Sequence, residues 1–141
     1  MADIHQALYY KLANTGAVTT IATGGVFMAG DVPQGTSDPF VTIQQISNEL
    51  TQHQTGDSKL DRTTFQITAV AEKHLTAYQL RSAIITALND FAGNLGEAGS
   101  TVAVKSCRHR GDVYLPLGPS DGGQRATAQW SVDFEVWHVT T

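Results

Sequence analysis

The stretch ATAQWSVDFEVWHV, from Ala126 to Val139, alternates strictly. Ala126, Ala128, Trp130, Val132, Phe134 and Val136 fall on one parity, and Thr127, Gln129, Ser131, Asp133 and Glu135 on the other. A period of two places the first set on one face of a β-strand and the second on the opposite face. The strand is long, since most run about 5–6 residues. Its polar parity is broken near the end by Trp137, and that break needs a reason.

Working back from this strand, TVAVKSCRHR (Thr101 to Arg110) reads as a second strand. Gly111 to Gln124 holds two prolines and four glycines and reads as a long loop. Upstream, Leu80, Ile84, Leu88 and Phe91 form the buried stripe of a helix, with Ala83 and Ala87 beside it. Thr76 and Gln79 have the spacing of a capping box, Leu75 and Leu80 that of a hydrophobic staple, and Gly93 that of a C′ glycine.

In the first half of the chain, Asp3 caps a helix whose Ile4, Leu8 and Leu12 share one side. Asn14 to Gly16 ends or bends it, and Val18 with Ile21 suggests another short helical turn. Val26 to Ala29 is a short strand candidate, Gly30 to Pro39 a loop, and FVTIQQIS (Phe40 to Ser47) a strand. Asn48 to Asp61 is polar with only two leucines. It reads as an extended hairpin tip or a mobile loop, too poor in apolar residues to offset its own ordering entropy. Arg62 to Ala71 returns as a strand with Phe65, Ile67 and Ala69 on one face. The order is α-β-β-β-α-β-β over a single domain, residues 1–141. Hairpin connections give an α+β fold with a largely antiparallel sheet and two helices packed on one face.

Composition narrows the function classes. Charged residues are 16% of the chain, below the usual ~25%, and Thr, Ser, Gln and Gly take their place. Such a surface is buried against another protein at less desolvation cost than a charged one. A net charge of −4 gives no general attraction to nucleic acid. Cys107 is the sole cysteine, which excludes an internal disulfide and a thiolate metal cluster. The N-terminal MADIHQALYYKL is amphipathic rather than a basic-then-apolar signal, and no apolar run approaches the ~20 residues of a membrane span. This is the profile of a soluble protein made in a reducing cytosol.

Catalytic signals are absent from the sequence. It has no P-loop, G-x-S-x-G, H-E-x-x-H or G-x-G-x-x-G. His5, His53, His74, His109 and His138 have no metal-ligand spacing among themselves or with Cys107. Asp133 and Glu135 share a strand face, about 6.6–6.8 Å apart by strand rise, without a helper residue for acid–base work. They read as solvating the outer face. Lys105, Arg108 and Arg110 form a short basic run, a candidate electrostatic contact to an acidic partner or to DNA; on a regular strand Lys105 takes the face opposite the two arginines. Trp137 is explained by edge fraying, by a local core contact, or by an interface, where tryptophan is enriched.

The succession of segments ALYYKL, GVF, PQGTSDPFVTIQQIS, FQITAVA, ALNDFAG, DVYLPLG and SVDFEVWH, from about Ile4 to His138, resembles the tail completion, or tail terminator, proteins of long-tailed bacteriophages and prophages. The resemblance implies an α+β subunit without catalytic residues or cofactors. It implies a homo-oligomeric ring, typically a hexamer, that caps the tail tube, ends its polymerisation and joins it to the head connector. Its partners would then be the major tail tube protein and a head connector or stopper protein, with DNA in the ring lumen and no membrane. Its place would be the neck end of the virion tail, after synthesis in the host bacterial cytoplasm. Candidate interface residues are Trp137 and Val139 at the end of the last strand for one edge, and the polar loops around Thr51, Gln54 and Tyr114 for the other. A head-side neck protein of the same joint is the close alternative. A small α+β ligand-binding domain or enzyme, with its site between loops 30–39 and 111–124, and a nucleic-acid module on Lys105, Arg108 and Arg110 are the other classes.

Overall fold

The computed structural model describes residues 3–33, 36, 39–53, 56–117 and 127–139. Asp3 caps α1 (Ile4–Ala13) as expected, its carboxylate accepting from the His5 N–H at 2.7 Å. A four-residue α2 (Gly16–Thr19) follows, and then β1 (Gly25–Met28), β2 (Phe40–His53), β3 (Gly56–Ala71), α3 (His74–Leu88), β4 (Gly93–Leu95), β5 (Val102–Leu117) and β6 (Thr127–Val139). Among the described residues the strands form one sheet in the order β1-β2-β3-β6-β5-β4. β1 pairs parallel with β2, and every other pairing is antiparallel, so the sheet is mixed.

The alternation of β6 sets the core. Val132, Phe134 and Val136 are fully or almost fully buried, in register with Ile67, Phe65 and Thr63 on β3. Ile43 of β2 continues the Ile67–Val132 row, and Val41 the neighbouring row of Ala69 and Trp130. Their cluster takes in Ile4, Ala7, Leu8 and Leu12 of α1, Val18 of α2, and Leu80, Ile84 and Leu88 of α3. Phe91 and Trp130 pack against it only partly buried. The cluster draws on one parity of each central strand, so the helices cover one face of the sheet.

Several local expectations are corrected. α3 begins at His74, two residues before Thr76, with Lys73 at the N-cap and no side-chain capping bond. Leu75 is 63% exposed, so the staple does not form. The helix closes at Asn89, and the left-handed backbone position beyond it is taken by Asp90 (φ 63°), whose N–H donates to the Cys107 carbonyl. Gly93 instead opens the short β4. Gly111 to Leu117 are strand, not loop. Gly111 stands where β5 is bulged against β6, and Pro116 is tolerated on a strand whose far side β4 covers only at Val102–Val104. Asn48 to Asp61 takes the extended-hairpin form: β2 and β3 stay paired out to His53 and Gly56. Backbone ladder pairing runs the length of that arm.

Candidate functional site

The face of the sheet turned away from the helices is largely polar, with its charges gathered at the Arg62, Arg108 and Glu135 end and Phe40, Val70 and Leu115 at the other. Its rows are Thr42, Gln44 and Ser47 on β2, Thr64, Gln66 and Thr68 on β3, and Gln129, Ser131, Asp133 and Glu135 on β6. Thr68 and Ser131 share a hydroxyl hydrogen bond across the strands at 3.3 Å. No helix residue in the core clusters joins these rows.

Trp137 lies at the upper end of this face. β6 runs between β3 and β5, so Trp137 and Val139 end an inner strand and do not form a sheet edge. Trp137 is in register with Arg62 on one side and Ser106 on the other. The Arg62 guanidinium sits over the indole at 5.5 Å, and the indole N–H donates to Glu135 Oε1 at 3.0 Å. Glu135 Oε2 lies 3.9 Å from both Arg62 and Arg110. Arg108 is in register with Glu135 on the neighbouring strand and is exposed. Two features that are separate in sequence, the basic run and Trp137, thus share one patch. Lys105 falls in a register shift between Val104 and Ser106, and Arg110 in one between His109 and Gly111, so regular parity does not assign their faces.

The other candidate residues lie elsewhere. Thr51 is on β2, opposite Leu60, near the tip of the arm. Gln54 lies outside the described residues. Tyr114 belongs to β5 and not to a loop: its ring packs on the helix side, 4.9 Å from Trp130 and from His74. Arg81 of α3 closes this cluster, 5.1 Å over Trp130 and with its Nε donating to Asp112 Oδ2 at 2.8 Å. His109 Nε2 is 3.2 Å from the same oxygen, without hydrogen-bond geometry. The Trp130 indole N–H is buried without a partner.

A buried polar group at the far end of the covered face was not singled out from the sequence. Asp61, Thr63 and His138 are each less than a tenth exposed. The Thr63 hydroxyl donates to Asn48 Oδ1, so its oxygen accepts from His138 Nε2 at 2.8 Å, and the neutral ring carries its proton there. Burial pushes the His138 pKa below its ordinary 6.5, against the pull of Asp61 and with the repulsion of His5. Asp61 Oδ1 has no partner. The only sequence signal was His138 continuing the apolar parity of β6. Cys107 is buried in the core, and burial, with Asp90 nearby, pushes its thiol up to about 12, which makes it unreactive.

Among the described residues no three His, Cys, Asp or Glu side chains converge on a metal position, and no helix is long and apolar enough to cross a membrane. Among the described residues the clefts run along α1 and beside Pro39 and Thr76, and of the two loops that would have framed a ligand site only Pro39 lines one of them. What this arrangement can do chemically is bind: an aromatic flanked by arginines on a largely polar sheet face suits a protein partner.

The sequence matches the family model described as "Tail completion protein gp17" over residues 6–138. Among solved structures, the fold is similar to a chain in the "Virion of native gene transfer agent (GTA) particle", with a TM-score of 0.66 and 13% identity, over 94% of this chain and 91% of that one. At that identity the likeness is one of fold. No curated protein matches the sequence.

Proposed function

The chain belongs to the tail completion protein gp17 family, and from that premise we propose that it is a structural subunit of a phage tail which closes into a ring, caps the tail tube, ends its polymerisation and forms the joint to the head connector. The observation that carries this reading is the bare sheet face. A fold that covers one side of its sheet with three helices leaves the other side to a partner. Here that side is rich in Thr, Gln and Ser, and its Trp137–Arg62–Glu135 cluster has the residue types that anchor interfaces. A cap must stop growth at a closed end, so its contacts are head-to-tail and close by rotation, with a hexamer matching the family reading. The partners on its two sides are the tail tube protein and a head connector or stopper protein.

The test is tube growth. Purified protein added to polymerising tail tubes should shorten and narrow their length distribution and appear as a terminal ring under the electron microscope. Tubes of unchanged length with bare ends would remove the capping role. Dilute protein without tubes should be monomeric or loosely associated, because a polar interface meets ordering costs that a tube template offsets.

A further inference from the structure

Both outer edges of the sheet are open over part of their length. β1 covers β2 from Phe40 to Ile43, and the Ala29 N–H donates to the Ile43 carbonyl at 2.8 Å. From Gln44 to His53 no described strand lies on that side. At the opposite edge β4 covers Val102 to Val104. Just below it, the Asp90 N–H donates to the Cys107 carbonyl at 2.8 Å and Asn89 Oδ1 accepts from the His109 N–H at 3.1 Å. From Arg110 to Leu117 no described strand lies beside β5 on its outer side.

We propose that these two open segments pair with each other between copies of this chain: Gly111–Leu115 of one subunit lies antiparallel beside Gln44–Glu49 of the next, so that the sheet continues around the ring. This rests on the ring reading above and specifies how the ring closes.

Four observations converge on it. The first is direction. Three antiparallel pairings separate β2 from β5, so the two strands run oppositely, and a head-to-tail neighbour meets them antiparallel. The second is exposed apolar surface. Among the described strand residues the exposed large apolar side chains are Ile46 (52%), Val113 (55%) and Leu115 (43%), all on these two segments. An open strand edge that also exposes aliphatic side chains is a pairing site unless something covers it. The third is charge. β2 carries one charged residue, Glu49, whereas β5 carries Lys105, Arg108 and Arg110 against a single acid, Asp112, which is already held by Arg81. Joining β5 to β2 brings the cationic edge to a neutral or acidic one, and joining β5 to a second β5 sets cations against cations.

The fourth is geometry. β2 has a register shift between Gln45 and Ser47 that leaves Ile46 as an extra residue. Pairing Gly111, Asp112 and Val113 with Glu49, Asn48 and Ser47, and Tyr114 and Leu115 with Gln45 and Gln44, absorbs that extra residue between Val113 and Tyr114. Val113 and Leu115 then meet Ser47 and Gln44 on the bare face, and Asp112 and Tyr114 meet Asn48 and Gln45 on the helix-covered face. Within one copy Asp112 is level with Ile43, through Val132 and Ile67. The pairing therefore displaces the neighbour by four rungs, about 13 Å, across four strand spacings of about 19 Å in all. That is a strand tilt of about 35°, at the edge of the roughly 35–45° at which closed barrels sit. Ring closure then removes both open edges.

The decisive experiment is a cysteine pair, Ser47→Cys with Val113→Cys, in the full chain. Within one subunit these positions are three strand spacings and four rungs, about 19 Å, apart, so a bond or a short bis-maleimide bridge between them must join two subunits. Assembled at high concentration or on tail tubes, oxidised or bridged, and run under denaturing conditions, the double variant should give a ladder of multimers ending at the ring size, and each single variant none. Rings under the microscope with no ladder would overturn the strand pairing and leave the ring standing. Dimers from Ser47→Cys alone would replace it with a symmetric β2–β2 contact. A protein that forms no ring under any of these conditions would overturn the ring reading and the pairing together. As a second arm, Val113→Lys, at an exposed position, should leave the folded monomer intact and weaken ring assembly at least tenfold; unaltered assembly would count against the pairing.

Discussion

The two faces of the central sheet are built from the same strands, residue by residue in alternation. On the covered face Phe65, Ile67, Val132 and Phe134 are completely buried against α1 and α3. On the bare face, one residue along in each case, Gln66, Thr68, Asp133 and Glu135 remain partly exposed, and Thr68 shares a hydroxyl hydrogen bond with Ser131. Stability resides on the first face, where removing a side chain opens a cavity. The second face contributes few buried contacts, so its residue types answer to what docks there. Trp137 and His138 are adjacent in sequence and divide the same way. His138 is buried beside Asp61 and Thr63, and Trp137 lies outside among Arg62 and Glu135.

The contrast breaks most visibly in the core. Phe134→Ala should cost about 3–5 kcal/mol and Leu88→Ala about 2–5 kcal/mol, from lost transfer energy and the cavity left behind. Chemical denaturation of both variants checks this, and unchanged midpoints would mean the covered face has been misassigned.

A smaller effect sharpens the boundary between the faces. The folded pKa of His138 lies below its unfolded value of 6.5. The unfolded chain therefore binds the proton first, and stability falls as the pH drops below about 6.5. The slope from this one group is at most ~1.4 kcal/mol per pH unit. His138→Gln keeps a donor for Thr63 and removes the titration, so its stability should depend less on pH between 7 and 5 than that of the native chain. Identical profiles would show that the ring is solvated in the folded state.

The smallest effect on stability is expected at Trp137. Trp137→Ala removes a partly buried side chain from the bare face and should shift unfolding by no more than about 1 kcal/mol, while weakening ring formation or capping. Loss of folding on this substitution would make the bare face part of the structural core.

How far this was legible in the sequence differs from element to element. The buried stripe Leu80–Ile84–Leu88 and the alternations of Phe65–Ile67–Ala69 and Val132–Phe134–Val136 were plain, because burial on one face writes a period into the chain. The start of α3 was not. Thr76 and Gln79 match a capping box, but backbone pairing ends at Ala71 and the helix starts before that signal. The lower half of β5 was read as loop because Gly111 and Pro116 are breakers in general. The patch joining Trp137 to Arg62, Arg108 and Arg110 was invisible, since its members come from three strands.

By itself, the sequence determined which residues face the core, the α+β class, and the absence of any motif for catalysis, because these follow from local periodicity, spacing and composition. The neighbours of each strand were decided only in the tertiary structure. Period two says which way a side chain points and nothing about which strand lies alongside. The two hairpins β2–β3 and β5–β6 are local, but the β3–β6 ladder that joins them is not. That long-range pairing puts β6 at the centre and leaves β2 and β5 as the open flanks, because it is the arrangement that brings Phe65 and Ile67 against Phe134 and Val132 under a single cover of helices.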